Sequence, residues 1–307
     1  MQRSGAIVIG VIVVVVAAIA GFLLLGDRGE GEPSPSPEPT SAAPSPSATF
    51  DAALLDKSWT VLYVGTDVNA AREESGSSAN TDALMLVHLS EDQSTVTLVS
   101  LPRDTVDLPM PDGTTYPGKI NGVYIQQGLD TLVGMMETLY GVTIDAHVVL
   151  DMDDFQSLVE AVGGVDVNPP APLSDPHLGL EIPAGAQELD APTTLSYVRT
   201  RIDQDYGRMG RQQEVVMSLI TRLVDPATDV DLGSLLEGLD SLETDLPLDQ
   251  LTTLMELARR ATDAEVQTLV IQPPLITFEG DRGDGRGYIL EPDVEAIRAQ
   301  VQSLIGG

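Results

Sequence analysis

The chain has no cysteine and only two lysines, Lys57 and Lys119. The first absence excludes disulfides and thiolate-bound metals. Cations are scarce in general: 16 Lys and Arg stand against 47 Asp and Glu, a formal net charge of −31. Duplex nucleic acid is held through basic surface, so this balance excludes nucleic acid as a partner. A phosphate-binding P-loop and a nucleophile-elbow serine motif are also missing. His88, His147 and His177 are scattered without metal-ligand spacing. No internal repeat is visible.

Scarcity makes the placement of the cations informative. A quarter of them, Arg199, Arg201, Arg208 and Arg211, fall between Tyr197 and Gln213. Guanidinium forks match phosphate oxygens in pairs, which points to a bound phosphate or pyrophosphate. On a helix Arg208, Arg211 and Gln212 share one face. Arg199 and Arg201 share a face only if that piece is extended.

The first residues predict a membrane anchor. Ala6 to Leu25 carries no charge over 20 residues and follows Arg3. That length crosses a bilayer as a helix, and the flanking charge puts residues 1–5 in the cytoplasm and the rest outside. A cleaved signal peptide is the rival, with Ala18-Ile-Ala20 as its cleavage site. The apolar run continues past that site through Phe22–Leu25, which favours a retained anchor over residues 6–26. Residues 27–50 read as a spacer. Six prolines between Pro33 and Pro46 keep it extended, with a reach of about 50 Å.

The folded part is expected from Asp51. Trp59–Val64, Ala83–Leu89 and Thr95–Leu101 read as strands, the last two as a hairpin. Gly128–Tyr140, Met152–Val162 and Gly210–Leu223 have helical spacing, as do stretches of 231–243 and 248–261. His147–Leu150, Val165–Val167 and Val266–Ile271 complete the strands. Interleaving of this kind predicts an α/β fold, a layered α/β/α domain around a central mixed sheet. Residues 51–225 are read as one domain, and 226–307 as a part packing on it or continuing it.

Several acidic and basic residues fall at strand ends, where α/β folds bind ligands. Asp67 follows the first strand and Asp82 opens the second; two carboxylates beside phosphate oxygens suit magnesium. Leu101-Pro-Arg-Asp104 brings Arg103 and Asp104 to the same edge, and Gly118-Lys-Ile-Asn121 supplies Lys119. Asp151-Met-Asp-Asp154 contains a D-x-D but reads as a helix cap.

Taken in order, these pieces resemble the LytR-CpsA-Psr family of membrane-anchored cell-wall ligases. The matching segments are Val64-Gly-Thr-Asp67, Thr81-Asp82, Val99–Asp104, Lys119-Ile-Asn121, Val162–Asp166, Tyr197–Arg201 and Asp205–Gln213. The resemblance implies a phosphotransferase that moves a glycopolymer phosphate from a polyprenyl-pyrophosphate carrier to a peptidoglycan sugar hydroxyl. It implies that Asp67 and Asp82 hold Mg²⁺. Arg103, Lys119, Arg199, Arg201, Arg208 and Arg211 would surround the pyrophosphate, with Gln212 and Gln213 completing the pocket. Arg103, Asp104, Arg199 and Arg201 would carry the chemistry, with Asp104 or Asp205 orienting arginines and the lipid in an apolar channel. One position departs: the family arginine two residues before the second aspartate is Asn80 here, and Arg72 lies in the same stretch. Asn80 also favours a competing reading, a non-catalytic extracellular sensor or scaffold that binds lipid carriers or wall polymers.

Overall fold

The structure, a computed structural model, describes residues 51–67, 80–225, 227–228, 230–231, 242–247, 250–261 and 264–306. The expected anchor over 6–26, the spacer over 27–50, Arg72 and most of the helical stretch in 231–243 lie outside these residues.

Six strands form the central sheet: β1 (Trp59–Thr66), β2 (Thr81–Leu89), β3 (Thr95–Ser100), β4 (Ala146–Leu150), β5 (Glu243–Thr244) and β6 (Glu265–Val270). Their order across the sheet is β5-β4-β1-β2-β3-β6. β1, β2 and β3 run antiparallel in series, while β4 lies parallel to β1 and β6 parallel to β3. The sheet is therefore mixed. Two of its strands come from residues after 226, so the C-terminal part continues the same domain.

Near-continuous apolar strands are the signature of a sheet covered on both sides. Alternation along β1 sends Val61 and Tyr63 into one core and Leu62 and Val64 into the other. The first core takes helices α2 (Met152–Ala161), α3 (Ala191–Arg199), α4 (Gln204–Val224) and α5 (Leu251–Ala261), through Leu158, Val198, Val215, Ile220 and Leu257. The second takes α1 (Leu129–Tyr140) and α6 (Val294–Ile305), through Leu132, Met136, Ile297 and Val301. Each such side chain contributes about 1.5–3 kcal/mol on burial. The result is the expected α/β/α layering.

A hairpin, β7 (Ile276–Asp281) with β8 (Tyr288–Pro292), packs on the second core through Ile276 and Leu290. Its strand β8 is stitched to the segment after β3. Leu290 N–H donates to Asp104 O at 3.1 Å, and Val106 N–H donates to Leu290 O at 3.0 Å.

Four of these elements differ from the sequence expectation. α4 begins at Gln204, not Gly210, and Gln204 itself sits at φ +73°. α3 was not foreseen; it places Arg199 at a helix end, so Arg199 and Arg201 do not share a strand face. The hairpin and α6 were likewise unread.

Candidate anion and apolar-ligand site

The strand ends near Asp67 are shaped by an irregularity. In the β1–β2 ladder Gly65 faces Ala83 and Thr66 faces Thr81, so Asp82 has no partner and forms a bulge. A bulged residue is re-aimed out of the ladder. Asp82 thereby reaches the Arg103 guanidinium, its Oδ1 accepting from NH1. Asp67, 5% exposed, closes the other side of the turn: its Oδ1 accepts from Asn80 N–H at 2.6 Å, and its own N–H donates to Asn80 O.

Around this point carboxylates and cations interlock. Asp104 lies 2.8 Å from Lys119 Nζ and 3.6 Å from Arg103 Nε, the latter an ion-pair distance beyond hydrogen-bond range. Asp205 lies 3.3 Å from Arg201 Nε and 3.4 Å from Arg208 NH2. Each of these two aspartates thus holds two cations in place. Arg199 is exposed and makes no ion pair among the described residues.

Arg208 is the buried member, at 2% exposure, and its Nε has no hydrogen-bond partner. Burial pushes its pKa down. Asp205 and Asp82 oppose that, and Arg201 and Arg103 add to it. Asp82, Arg103, Arg201, Asp205 and Arg208 thus share one electrostatic field. For Arg103, burial acts against the charge, but Asp82 foremost, then Asp104 and Asp205, outweigh it and raise the pKa. An arginine stays protonated in either case. A buried guanidinium N–H without an acceptor costs about 1–3 kcal/mol, which a bound anion would offset.

Beside Arg199 and Arg208 is a pocket of about 60 Å³ that opens to solvent. Asp82, Arg199, Arg208 and Gln212 line it together with an apolar wall that includes Tyr63, Leu150, Met152, Phe155, Leu195 and Val216. Its floor requires Gly65, where a Cβ would meet Ala83 Cβ at 3.0 Å. Tyr63 is held neutral, its pKa pushed up to about 12 by burial. Charge at the mouth and hydrocarbon within suit an amphiphilic ligand with an anionic head.

Two predicted ligands of the anion are placed elsewhere. Arg211, 6% exposed, donates from Nε to Tyr197 O at 2.9 Å and from NH2 to Thr200 O at 2.5 Å, and pairs with Asp203 at 2.6 Å. It caps the carbonyl end of α3, as cationic side chains commonly do, with each of its three nitrogens donating a hydrogen bond. Gln213 is buried against the sheet, donating to Ser100 Oγ at 2.9 Å and Leu269 O at 3.2 Å. Gln212 stays at the pocket and also donates to Val198 O at 3.3 Å. The helical spacing that groups Arg208 with Arg211 is correct, but the α3 carbonyls claim the second.

Asp151 is a helix cap, accepting from Asp153 N–H and Asp154 N–H at 2.8 Å. Arg282 is paired with Glu291 and stacked on Phe278.

A model of the LytR_cpsA_psr family matches residues 35–302. The chain belongs to the LytR_cpsA_psr family. All the cations and carboxylates described above fall inside that match. Among relatives, the polyisoprenyl-teichoic acid–peptidoglycan teichoic acid transferase TagV of Bacillus subtilis (strain 168) is 27% identical over 258 residues, covering 80% of this chain and 64% of TagV. Cell wall biosynthesis protein LcpA of Corynebacterium glutamicum (strain ATCC 13032) is 28% identical over 256 residues, covering 74% of this chain and 49% of LcpA. The chain thus spans less than two thirds of the length of either relative. The crystal structure of B. subtilis TagV aligns with a TM-score of 0.66 at 26% identity, covering 82% of this chain and 98% of that one. TagT bound to LI-WTA shares the fold, with a TM-score of 0.63 at 21% identity over 85% of this chain and 94% of that one.

A metal here would depend on the carboxylates. Among the described residues no group of three or more His, Cys, Asp or Glu is arranged to hold one. Asp67 follows β1 and Asp82 lies in β2, and two such carboxylates are of the kind that, with phosphate oxygens and water, would complete the shell of a cation such as Mg²⁺.

Proposed function

We propose that the chain is a phosphotransferase that moves a glycopolymer phosphate from a polyprenyl-pyrophosphate carrier to a peptidoglycan sugar hydroxyl. The observation that carries this reading is the buried, unsatisfied Arg208 Nε at the mouth of an apolar pocket. Pyrophosphate supplies the missing acceptor and the prenyl chain fills the pocket. Support also comes from TagV, whose name describes a polyisoprenyl-teichoic acid–peptidoglycan transferase, and from TagT, bound to LI-WTA.

In the reaction an acceptor hydroxyl attacks the phosphorus that bears the glycan. The bond from that phosphorus to the bridging oxygen breaks, and polyprenyl phosphate leaves with the electron pair. Phosphoryl transfer needs positioning and charge neutralisation more than covalent chemistry. Arg103, Arg199, Arg201 and Arg208, with Lys119, neutralise the pyrophosphate. Asp104 orients Arg103 and Lys119, and Asp205 orients Arg201 and Arg208. Asp67 and Asp82 would hold Mg²⁺, which would supply further charge stabilisation in the transfer. Arg211 and Gln213 act on the framework around this site. In the same reading residues 6–26 anchor the chain in the cell membrane, and residues 27–50 carry the domain on the outer side.

The test is release of polyprenyl phosphate, followed by mass spectrometry, from a lipid-pyrophosphate-linked glycan in the presence of Mg²⁺ and a peptidoglycan fragment. Arg103→Ala and Arg201→Ala should each reduce it by about 100-fold or more, the scale of a lost transition-state donor. If both variants match the wild type, the assignment fails. Tight binding of the lipid without turnover would favour the sensor or scaffold reading, to which Asn80, in place of an arginine, lends weight.

A further inference from the structure

We propose that Tyr206, Glu279 and Tyr288 form the subsite that holds the acceptor glycan beside the arginine cluster. This rests on the phosphotransferase reading and assigns to it a second substrate site. Glu279, on β7, accepts from Tyr206 Oη at 3.0 Å and from Tyr288 Oη. One carboxylate therefore joins two phenols from different parts of the chain. Tyr206 follows Asp205 on α4, the residue that pairs with Arg201 and Arg208. Tyr288 opens β8, the strand hydrogen-bonded to the backbone of Asp104. The trio thus spans the two chain segments that carry the cations.

Its composition selects the ligand. Tyr288 is 50% exposed and Ile202, next to Arg201, is 56% exposed. Two of the three exposed large hydrophobic side chains among the described residues thus belong to these segments. The arginines of the hairpin add no spare positive charge, since Arg282 is paired with Glu291, and Arg286 with Asp107 and Asp284. A ledge of phenol faces around a carboxylate disfavours an anionic polymer. It suits a neutral sugar, whose C–H face lies flat on an aromatic ring and whose hydroxyls donate to Glu279. Both phenols are kept protonated, by burial first and then by Glu279.

The position suits the reaction as well. The apolar pocket belongs to the first core and the hairpin packs on the second, with the cations at the strand ends between them. Attacking and leaving oxygens stand in line across phosphorus. A lipid on one side of the cations therefore calls for an acceptor on the other.

The experiment uses the full chain and two probes: a neutral tetramer of N-acetylglucosamine, titrated by NMR, and geranyl pyrophosphate, titrated by calorimetry. Acceptor KM is read alongside in the transfer assay. Tyr288→Ala should weaken tetramer binding and raise acceptor KM by about tenfold, the value of one aromatic contact. Geranyl pyrophosphate affinity should move less than about twofold. Tyr288→Phe should fall between, and Ile125→Ala, at an exposed apolar position outside these segments, should leave acceptor KM unchanged. Unchanged tetramer binding in Tyr288→Ala would overturn the subsite, as would an equal loss for both probes. The two readings fail separately. A wild type that transfers nothing but binds the tetramer through Tyr288 sinks the transferase and keeps the subsite. Active transfer with the same acceptor KM in Tyr288→Ala does the reverse.

Discussion

Replacing Arg208 by methionine should leave the protein as stable as before, or more so, while removing its response to ligand. The side chain is 2% exposed, its Nε lacks an acceptor, and its one carboxylate contact is long, 3.4 Å to Asp205. Removing the guanidinium relieves about 1–3 kcal/mol of unsatisfied donor. Methionine follows a similar path through the same space and forms helix comparably well. The opposing term is the fate of Asp205. Truncating one partner of a buried pair costs about 3–5 kcal/mol when the other is left uncompensated. Asp205 is not left so, because it keeps Arg201 at 3.3 Å and its side chain is 20% exposed. The balance is about 0 to 2 kcal/mol in favour of the variant, a Tm unchanged or raised by up to about 6 °C. Anion binding changes the other way, losing about 2–5 kcal/mol. Thermal unfolding with and without geranyl pyrophosphate reads both effects. At about 100 Kd the wild type gains about 2.7 kcal/mol, whereas a variant bound a hundredfold more weakly gains about 0.4 kcal/mol. An Arg208→Met protein destabilised by more than about 2 kcal/mol that still responds fully to ligand would show that Arg208 is framework rather than anion ligand.

Two further outcomes follow from residues outside the pocket. A Cβ at Gly207 would fall on the Asp203 carboxylate, which pairs with Arg211 at 2.6 Å. Gly207→Ala should cost about 1 kcal/mol in urea unfolding despite alanine's higher helix propensity, and should become stabilising in an Asp203→Ala background. His88 is buried, with its Nδ1 2.9 Å from Thr60 Oγ1, and burial lowers its pKa from 6.5 against the pull of Asp145. The folded state therefore binds its proton less readily than the unfolded chain. The contribution of His88 is complete above about pH 6.5 and is lost as pH falls through the lower folded value. His88→Gln should flatten the dependence of the urea midpoint below that pH; an unaltered slope would assign the dependence to other groups.

Periodicity in the sequence located the layers well. Strands such as Trp59–Thr66 and helices such as Leu129–Tyr140 carry long apolar runs, and their ends agree with the reading to within about two residues. Elements whose ends are set by polar chemistry were missed. The first turns of α4, Gln204 to Met209, carry a single buried apolar residue, Met209, so the helix was read as starting six residues late. α3 was announced only by Asp190, whose side chain accepts from Thr193 N–H, and by a proline in the first turn. α6 had a similar signal in Asp293, which caps it through Ala296 N–H. Among the site residues, strand-end position singled out Asp82 and Arg103, and the family resemblance joined them to Lys119, Arg201 and Arg208; the structure brings the five together. It could not separate Arg208 from Arg211, because both lie on one helical face. What divides them is whether a backbone carbonyl of another element lies within reach. Tyr206 lies in the Asp205–Gln213 segment, but nothing in the sequence joins it to Glu279 and Tyr288, whose meeting with it depends on the hairpin's attachment to Asp104.

The pocket is lined by residues of the first core, among them Tyr63, Ala83, Leu150, Phe155, Val198 and Val215. It is, in effect, a missing piece of that core. Protein interiors are close-packed, and unfilled apolar space forgoes dispersion contacts that a well-fitting side chain would make. An apolar ligand therefore completes the interior as well as occupying a site. Under the proposed function, measured stability then reports how much of the protein carries lipid. Preparations that differ in co-purified lipid will differ in Tm with no change in sequence, and variants must be compared at equal occupancy before any shift is ascribed to the substituted residue.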